Sequence, residues 1–208
     1  MRSWFQVIVG AVLFAQVTSA QNLLQNGSFE SPDADPGTAL LVPSIPGWTN
    51  SGDPCPIEVQ DNCCGAPSDG AQHLELDSDN CNSSISQTVT TQPGASYVLS
   101  FDFSPRPSVF DNRVIVSWNG SQVFDIIEIS PPGGDVDWQH HSARVTATGT
   151  SSTVEFAGGD APDGVGSYLD NLPEPGRAAQ LAVGVALLAG LDLLRRRTPR
   201  SQPRGRSR

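Results

Sequence analysis

Through the middle of the chain apolar side chains recur at every second position, the two-residue repeat of a half-buried strand and not the ~3.6-residue repeat of a helix. Tyr97, Leu99, Phe101 and Phe103 fall on one side of a strand, with Ser96, Ser100 and Asp102 on the other. Ile85 and Val89 mark a strand over 84–90, and Gln92-Pro93-Gly94-Ala95 supplies the turn between the two. Val114, Val116 and Trp118 line one face of the next strand, and Asn119-Gly120 follows directly. Both of these residues tolerate positive φ, so the pair predicts a tight hairpin with a return strand over 123–129. Pro131-Pro132-Gly133-Gly134 then breaks the chain. Further strands are expected over 57–60, 72–77, 137–148, 153–157 and 167–172. Short strands separated by regular turns predict an all-β fold, an antiparallel β-sandwich or jelly roll. No internal repeat and no helix of useful length interrupts them.

The ends follow different rules. Residues 1–20 read as a signal peptide: Arg2 gives the positive start, an apolar run follows, and Thr18-Ser19-Ala20 offers small residues for cleavage. Near the other end, 178–194 is apolar apart from Gln180 and Asp192. As a helix it would span ~26 Å, a little under the ~30 Å hydrocarbon core. Arg195-Arg196-Arg197 follows at once, and the positive-inside rule places the arginine-rich tail in the cytoplasm and residues 21–172 outside. Pro173-Glu174-Pro175 stands just before the apolar segment, its prolines keeping the peptide extended. This order of triplet, apolar helix and arginine cluster resembles the PEP-CTERM sorting signal of bacteria. The resemblance implies an exosortase as partner, a membrane anchor that is transient, and delivery to the cell surface or extracellular matrix.

Charge sharpens the picture. The 208 residues carry 22 acidic and 12 basic side chains, and every basic one is arginine. Twenty of the acids, against only Arg106, Arg113 and Arg144, lie in 21–172. A body this acidic repels polyanions, which excludes nucleic acid as a partner. About 150 residues suffice for one domain with a core. The organisation expected is therefore a signal peptide (1–20), one β domain (21–172) and a sorting segment (173–208).

Several phrases in that domain match a family pattern: Asn26-Gly27-Ser28-Phe29-Glu30, Ile45-Pro46-Gly47-Trp48, 69–77, Ser84-Ile85-Ser86-Gln87, 97–107, Trp118-Asn119-Gly120 and 166–171. In this order they resemble exported bacterial domains of the galactose-binding-like jelly-roll superfamily, relatives of carbohydrate-binding modules and of plant cell-wall-associated proteins. The resemblance implies binding of carbohydrate or matrix polysaccharide. It also implies a structural Ca²⁺ tying the first strand to the last through Glu30 and Asp170, whose hard carboxylate oxygens suit that ion.

Cys55, Cys63, Cys64 and Cys81 fall within 27 residues. In an exported domain an even count reads as disulfides, with three connectivities possible. A bridge between the adjacent Cys63 and Cys64 closes a strained ring, so Cys55 is expected to pair with one of them and Cys81 with the other. A Cys₄ zinc site is the rival, although two Cys-x-x-Cys knuckles are lacking.

Sugar recognition asks for aromatic faces that meet the apolar side of a pyranose, and for polar groups that bond its hydroxyls. Trp48, Trp118 and Trp138 are the aromatic candidates, although residues at strand ends or on buried faces, as these are, more often belong to the core of a sandwich. The 104–113 loop gathers Arg106, Phe110, Asn112 and Arg113, a candidate carbohydrate-binding set whose arginines could instead pair with acidic neighbours. For catalysis there is no Gly-x-Ser-x-Gly elbow and no His-Glu-x-x-His, and His73, His140 and His141 are the only histidines. A non-catalytic surface or matrix protein that binds polysaccharide is expected. A matrix component without a sugar pocket and a small secreted hydrolase are the alternatives.

Overall fold

The computed structural model describes residues 23–172 apart from 53, 131 and 160. The leader 1–20, Pro173-Glu174-Pro175, the 178–194 segment and Arg195-Arg196-Arg197 lie outside the described residues. Thirteen strands are described. They are β1 (Ala39–Val42), β2 (Thr49–Asn50), β3 (Ile57–Asp61), β4 (Gln72–Glu75), β5 (Asp77–Ser78), β6 (Cys81–Asn82) and β7 (Ser84–Thr90), then β8 (Ser96–Ser104), β9 (Asn112–Trp118), β10 (Ser121–Glu128), β11 (Gln139–Thr146), β12 (Ser151–Gly158) and β13 (Tyr168–Asp170).

Two antiparallel sheets pack face to face. One has six strands in the order β1-β3-β4-β13-β8-β11, the other five in the order β10-β9-β12-β7-β2, and β5 and β6 form a small separate hairpin. The alternation explains the layers. Leu99, Phe101 and Phe103 from β8 meet Val114 and Val116 from β9, Ile85 and Val89 from β7, and Val154 and Phe156 from β12 in one buried core. Phe101 packs edge-on against Phe124 and Phe156 at centroid distances of 5.2 Å. Full burial of a side chain of this size stabilises the fold by ~1.5–3 kcal/mol. The predicted hairpin forms as expected: Trp118 pairs with Ser121 across Asn119 and Gly120, whose φ angles are 52° and 74°.

The chain's two described ends meet at Gly27. The Leu172 amide donates to the Gly27 carbonyl at 3.0 Å. A Cβ on Gly27 would stand 2.4 Å from the Leu172 carbonyl oxygen, so only glycine admits this approach.

Three strands were not expected, β1, β2 and β6, and the strand expected over 72–77 breaks at Leu76 into β4 and the start of the two-residue β5. Each has two to four residues, too short for alternation to register. β1 also sits in a proline-flanked segment and pairs only with β3, at the sheet edge.

The cysteine pairing differs from expectation. Cys55 is bridged to Cys81, and Cys63 and Cys64 remain free, their sulfurs 2.9 Å apart. The reason is β3. Its five residues stand between Cys55 and Cys63, and an extended strand of that length runs ~17 Å, far beyond disulfide reach. Cys81 lies instead on the β5–β6 hairpin beside the start of β3, where the Ser78 hydroxyl donates to the Pro56 carbonyl at 2.8 Å.

One departure from the two-sided pattern leads to the site. Strands of a solvated sheet alternate buried and exposed, but β4, β13 and the last four residues of β8 are buried on both faces. A second layer therefore covers the outer face of the six-stranded sheet.

Candidate functional site

That layer is the 62–69 loop together with 134–138, and beneath it lies a packed set of polar side chains. Leu74, Phe103 and Leu169 point into the core, so the pleat turns His73, Glu75, Asp102, Ser104, Tyr168 and Asp170 outward. Gln60 of β3 joins them, fully buried. Glu75 is the centre: one carboxylate oxygen receives the Arg106 guanidinium and the Gly166 amide, the latter at 2.8 Å, and the other receives the Gln60 side-chain amide. Arg106 lies over the Tyr168 ring, 6.0 Å from its centroid. The Gln60 nitrogen is committed to Glu75 and Glu58, so its oxygen faces His73 Nε2 at 3.1 Å and His73 carries its proton there.

Aromatic rings close this cluster from above. Tyr168 sits 4.5 Å from His73, and Trp138 stands 5.6 Å from His73 and 6.4 Å from Tyr168. Trp138 is partly exposed and is not a member of the core. Its indole N–H donates to the Ala66 carbonyl at 2.8 Å, and the neighbouring Asp137 amide donates to the Ser104 hydroxyl at 2.9 Å. The loop is pinned by Tyr168, whose hydroxyl donates to the Cys64 carbonyl at 3.3 Å.

Beside Trp138 lies a second polar group. Asp102 pairs with the exposed His140 ring at 2.7 Å through one oxygen, and its other oxygen accepts from the Ser68 hydroxyl and from Asn171 Nδ2. Ser68 spends its proton on the carboxylate, not on the imidazole.

Burial dominates the electrostatics. It pushes Glu75 up to about 7, outweighing the opposite pull of Arg106 and the Gly166 amide. It works against the charge of Arg106 as well, but the attraction of Glu75 and Tyr168 prevails and holds the guanidinium above its ordinary value. Burial, helped by the Arg106 charge, lowers His73 to about 4, so this ring is neutral. Asp170 is raised to about 7 by burial despite three amide donors.

The carbohydrate set expected from the 104–113 loop disperses. Arg106 turns to Glu75; Asn112 is buried, accepting from the Arg106 amide at 2.8 Å and donating to the Val109 carbonyl at 3.0 Å. Arg113 forms a two-pronged pair with Asp125 at 2.7 and 2.8 Å on the outer face of the other sheet. Phe110 is 60% exposed. Trp48 and Trp118, 5% and 8% exposed, belong to the core, which leaves Trp138 as the surface aromatic of the three.

Glu30 and Asp170, the pair implied for calcium, flank one turn, and each is engaged by N–H donors. Asp170 accepts from the Ser68 and Asp69 amides at 2.8 Å and from Asn171 at 2.6 Å; Glu30 accepts from Ala71 and Gln72 at 2.9 and 3.0 Å. Among the described residues no group of three or more His, Cys, Asp or Glu is placed to hold a metal. As placed, Glu30 Oε1 and both Asp170 oxygens clamp the turn through its amides.

Sequence reasoning missed Glu75, His73, Asp102 and Tyr168 as members of one site. The available signal was the run His73–Asp77, where polar residues occupy the outer positions of a strand flanked by a long cysteine-bearing loop. An open groove of about 380 Å³, lined by Glu128, Asp135, Asp137 and Gln139, adjoins it along the chain.

The fold is an all-β sandwich resembling the jelly rolls of carbohydrate-binding modules. A family 16 carbohydrate-binding module aligns at 20% identity with a TM-score of 0.49, covering 73% of this chain and 98% of the module. TmCBM61, solved in complex with β-1,4-galactotriose, aligns at 20% identity with a TM-score of 0.47, covering 73% and 95%. In sequence, a multifunctional-autoprocessing repeats-in-toxin of Vibrio vulnificus is 32% identical over 173 residues, and one of Vibrio cholerae is 33% identical over 114. The matches cover 81% and 54% of this chain but only 3% and 2% of those toxins. The family model for DUF642, described as a protein of unknown function, matches residues 22–172, and the chain belongs to that family.

Proposed function

We propose that the protein is a non-catalytic, exported module that binds neutral polysaccharide on the outer face of the six-stranded sheet. The observation that carries this reading is Trp138, a partly exposed indole outside the core, held by the Ala66 bond and by the Ser104 bond to its neighbour Asp137, beside the Asp102–His140 pair. A fixed aromatic face flanked by hydrogen-bonding groups is what a pyranose requires. The charge balance of 21–172, twenty acids against three arginines, favours neutral glycans over polyanionic ones. A non-catalytic role agrees with Ser68, whose hydroxyl is bonded to Asp102 and has no imidazole base. Pro173-Glu174-Pro175, the 178–194 segment and Arg195-Arg196-Arg197 support processing by an exosortase from a membrane-tethered precursor to the surface or matrix.

Isothermal titration of the purified protein against a panel of neutral and uronate polysaccharides tests the site. Trp138→Ala should weaken binding by about 10-fold, the loss of one stacking contact, and because it also removes the Ala66 bond and the packing on His73 and Tyr168, affinity is compared at a temperature where the variant is folded by circular dichroism. Binding unaffected by Trp138→Ala would move the site elsewhere. No binding to any glycan would favour a matrix component without a sugar pocket.

A further inference from the structure

The thiols of Cys63 and Cys64 take no part in the polar cluster or in the Cys55–Cys81 bridge. They are consecutive, partly exposed, and their sulfurs stand 2.9 Å apart, closer than two unbonded sulfurs rest. The loop that carries them is the layer over the polar cluster. The Cys64 carbonyl accepts from the Tyr168 hydroxyl, Ala66 holds the Trp138 indole, and the Ser68 and Asp69 amides are clamped by Asp170. We infer that Cys63 and Cys64 form a reversible vicinal disulfide, and that its closure re-sets the loop that positions Trp138. The second half of this inference rests on the glycan-binding reading; the first does not.

The chemistry balances with a low-molecular-weight disulfide as oxidant. Burial pushes the Cys63 thiol up to about 12, with its hydrogen bond to Cys64 and the charges of Cys64 and Glu58 adding to the effect. One of the two sulfurs, as its thiolate, attacks one sulfur of the oxidant and expels the other half as a thiolate, leaving a mixed disulfide on that cysteine. The neighbouring thiol, whose sulfur stands 2.9 Å away, then gives its proton to the departing thiolate, attacks the modified cysteine's Sγ and expels the second half. Two protein thiols lose two electrons and two protons, and one small disulfide becomes two thiols.

Strain makes the bond a switch and not a staple. Adjacent Cα atoms are ~3.8 Å apart, short of the ~4.4–6.8 Å that disulfides span. Cys55 and Cys81 meet that range at 5.4 Å. A strained disulfide is the more readily reduced, so the vicinal bond should open at a reductant level that leaves Cys55–Cys81 closed.

The test uses the purified full chain equilibrated in oxidised and then graded reduced glutathione, denatured, alkylated and peptide-mapped by mass. In the oxidised sample the 63–64 peptide should lack two hydrogens and carry no alkyl group. As reductant rises it should gain two alkyl groups before Cys55 or Cys81 gains any. Two alkyl groups after full oxidation, or a bridge from Cys63 or Cys64 to Cys55 or Cys81, would overturn the vicinal bond. Cys63→Ser and Cys64→Ser should each stall with glutathione on the remaining cysteine of the pair; a remaining cysteine left unmodified in both variants would overturn the mixed-disulfide route. Tryptophan emission should shift on oxidation in the wild type and not in Trp138→Phe, and unchanged wild-type emission would overturn the link to the loop. Glycan affinity should differ between the two states by on the order of 5-fold or more. If neither state binds glycan, the functional reading fails while mass and emission still decide the switch.

Discussion

Replacing Arg106 by alanine gives the most direct reading of the polar cluster, because its cost should depend on pH. At pH 8 Glu75 is ionised and fully buried, and Arg106, 22% exposed, is the cation that compensates it. Removing the cation leaves an uncompensated buried charge, which costs ~3–5 kcal/mol. The Gly166 and Gln60 donors remain, so the lower end of that range applies. At pH 5 the balance changes, since the Glu75 carboxyl titrates near 7. The protonated carboxyl carries no charge to orphan. Arg106 then contributes one hydrogen bond in which only the donor is ionised, ~1.5 kcal/mol, and its place over the Tyr168 ring, ~0.5–1 kcal/mol. The sign follows from linkage. A carboxyl whose folded value is raised holds its proton more tightly in the native state, so its contribution is complete below the unfolded value of ~4.3 and is lost as pH rises through about 7. Stability of the wild type relative to Glu75→Gln should accordingly fall between pH 5 and pH 8. Urea unfolding of wild type, Arg106→Ala and Glu75→Gln at both pH values measures all of this. An Arg106→Ala cost that is equal at pH 5 and pH 8 would refute the assignment of a buried, near-neutral titration to Glu75.

The Cys55–Cys81 bridge closes a loop of sequence separation 26, so the Cys55→Ser/Cys81→Ser pair should cost ~3.5 kcal/mol in the chain-entropy picture. Denaturant midpoints check this, and a loss under ~1 kcal/mol would mean that the β5–β6 hairpin holds the loop closed without the bond. Calcium should leave the unfolding temperature where chelator leaves it, because Glu30 Oε1 and both Asp170 oxygens already accept amide protons. A rise of ~5–10 °C in calcium, the effect of a ligand at about 100 times its dissociation constant, would show that the 68–72 turn rearranges into a cage.

The sandwich was legible wherever one face of a strand was buried and the other wet. The β8 residues Leu99, Phe101 and Phe103, the β9 residues Val114 and Val116, and the Asn119-Gly120 hairpin all follow from a two-residue period and turn chemistry. Legibility failed where that premise failed. In β4 every residue is buried, so Gln72-His73-Leu74-Glu75 does not alternate in environment, and its polar members read as solvated although they are the centre of a second interior. Which polar residues meet there depends on β13 lying between β4 and β8, a pairing across ninety residues that no local pattern encodes. The disulfide was nearer to hand. The strand expected over 57–60 already holds Cys55 and Cys63 apart, so strand length and disulfide reach, taken together, disfavour that bridge. The loop set Arg106, Phe110, Asn112 and Arg113 was assembled by proximity in sequence. A strand's pleat sends Arg113 to one side and buries Asn112, while the turn before it carries Arg106 to the opposite sheet.

The buried cluster is hard to explain as a device for stability. Glu75, Asp102 and Asp170 are almost wholly withdrawn from water, and a buried ion pair replaced by apolar residues of equal volume leaves a protein as stable or more so. A purely structural second layer over the sheet could have been built from leucine and valine, as the first layer is. What charged and amide groups supply, and apolar ones do not, is direction. Each bond in the cluster admits one geometry, and together they fix the loop at Cys64, Ser68 and Asp69 and, through Ala66 and Ser104, the place of one indole. Rigidity concentrated around a partly exposed ring lowers the entropy lost when a ligand packs against it. The same rigidity makes the ring sensitive to any covalent change in the loop, which is why two adjacent sulfurs at that position matter to the surface above them.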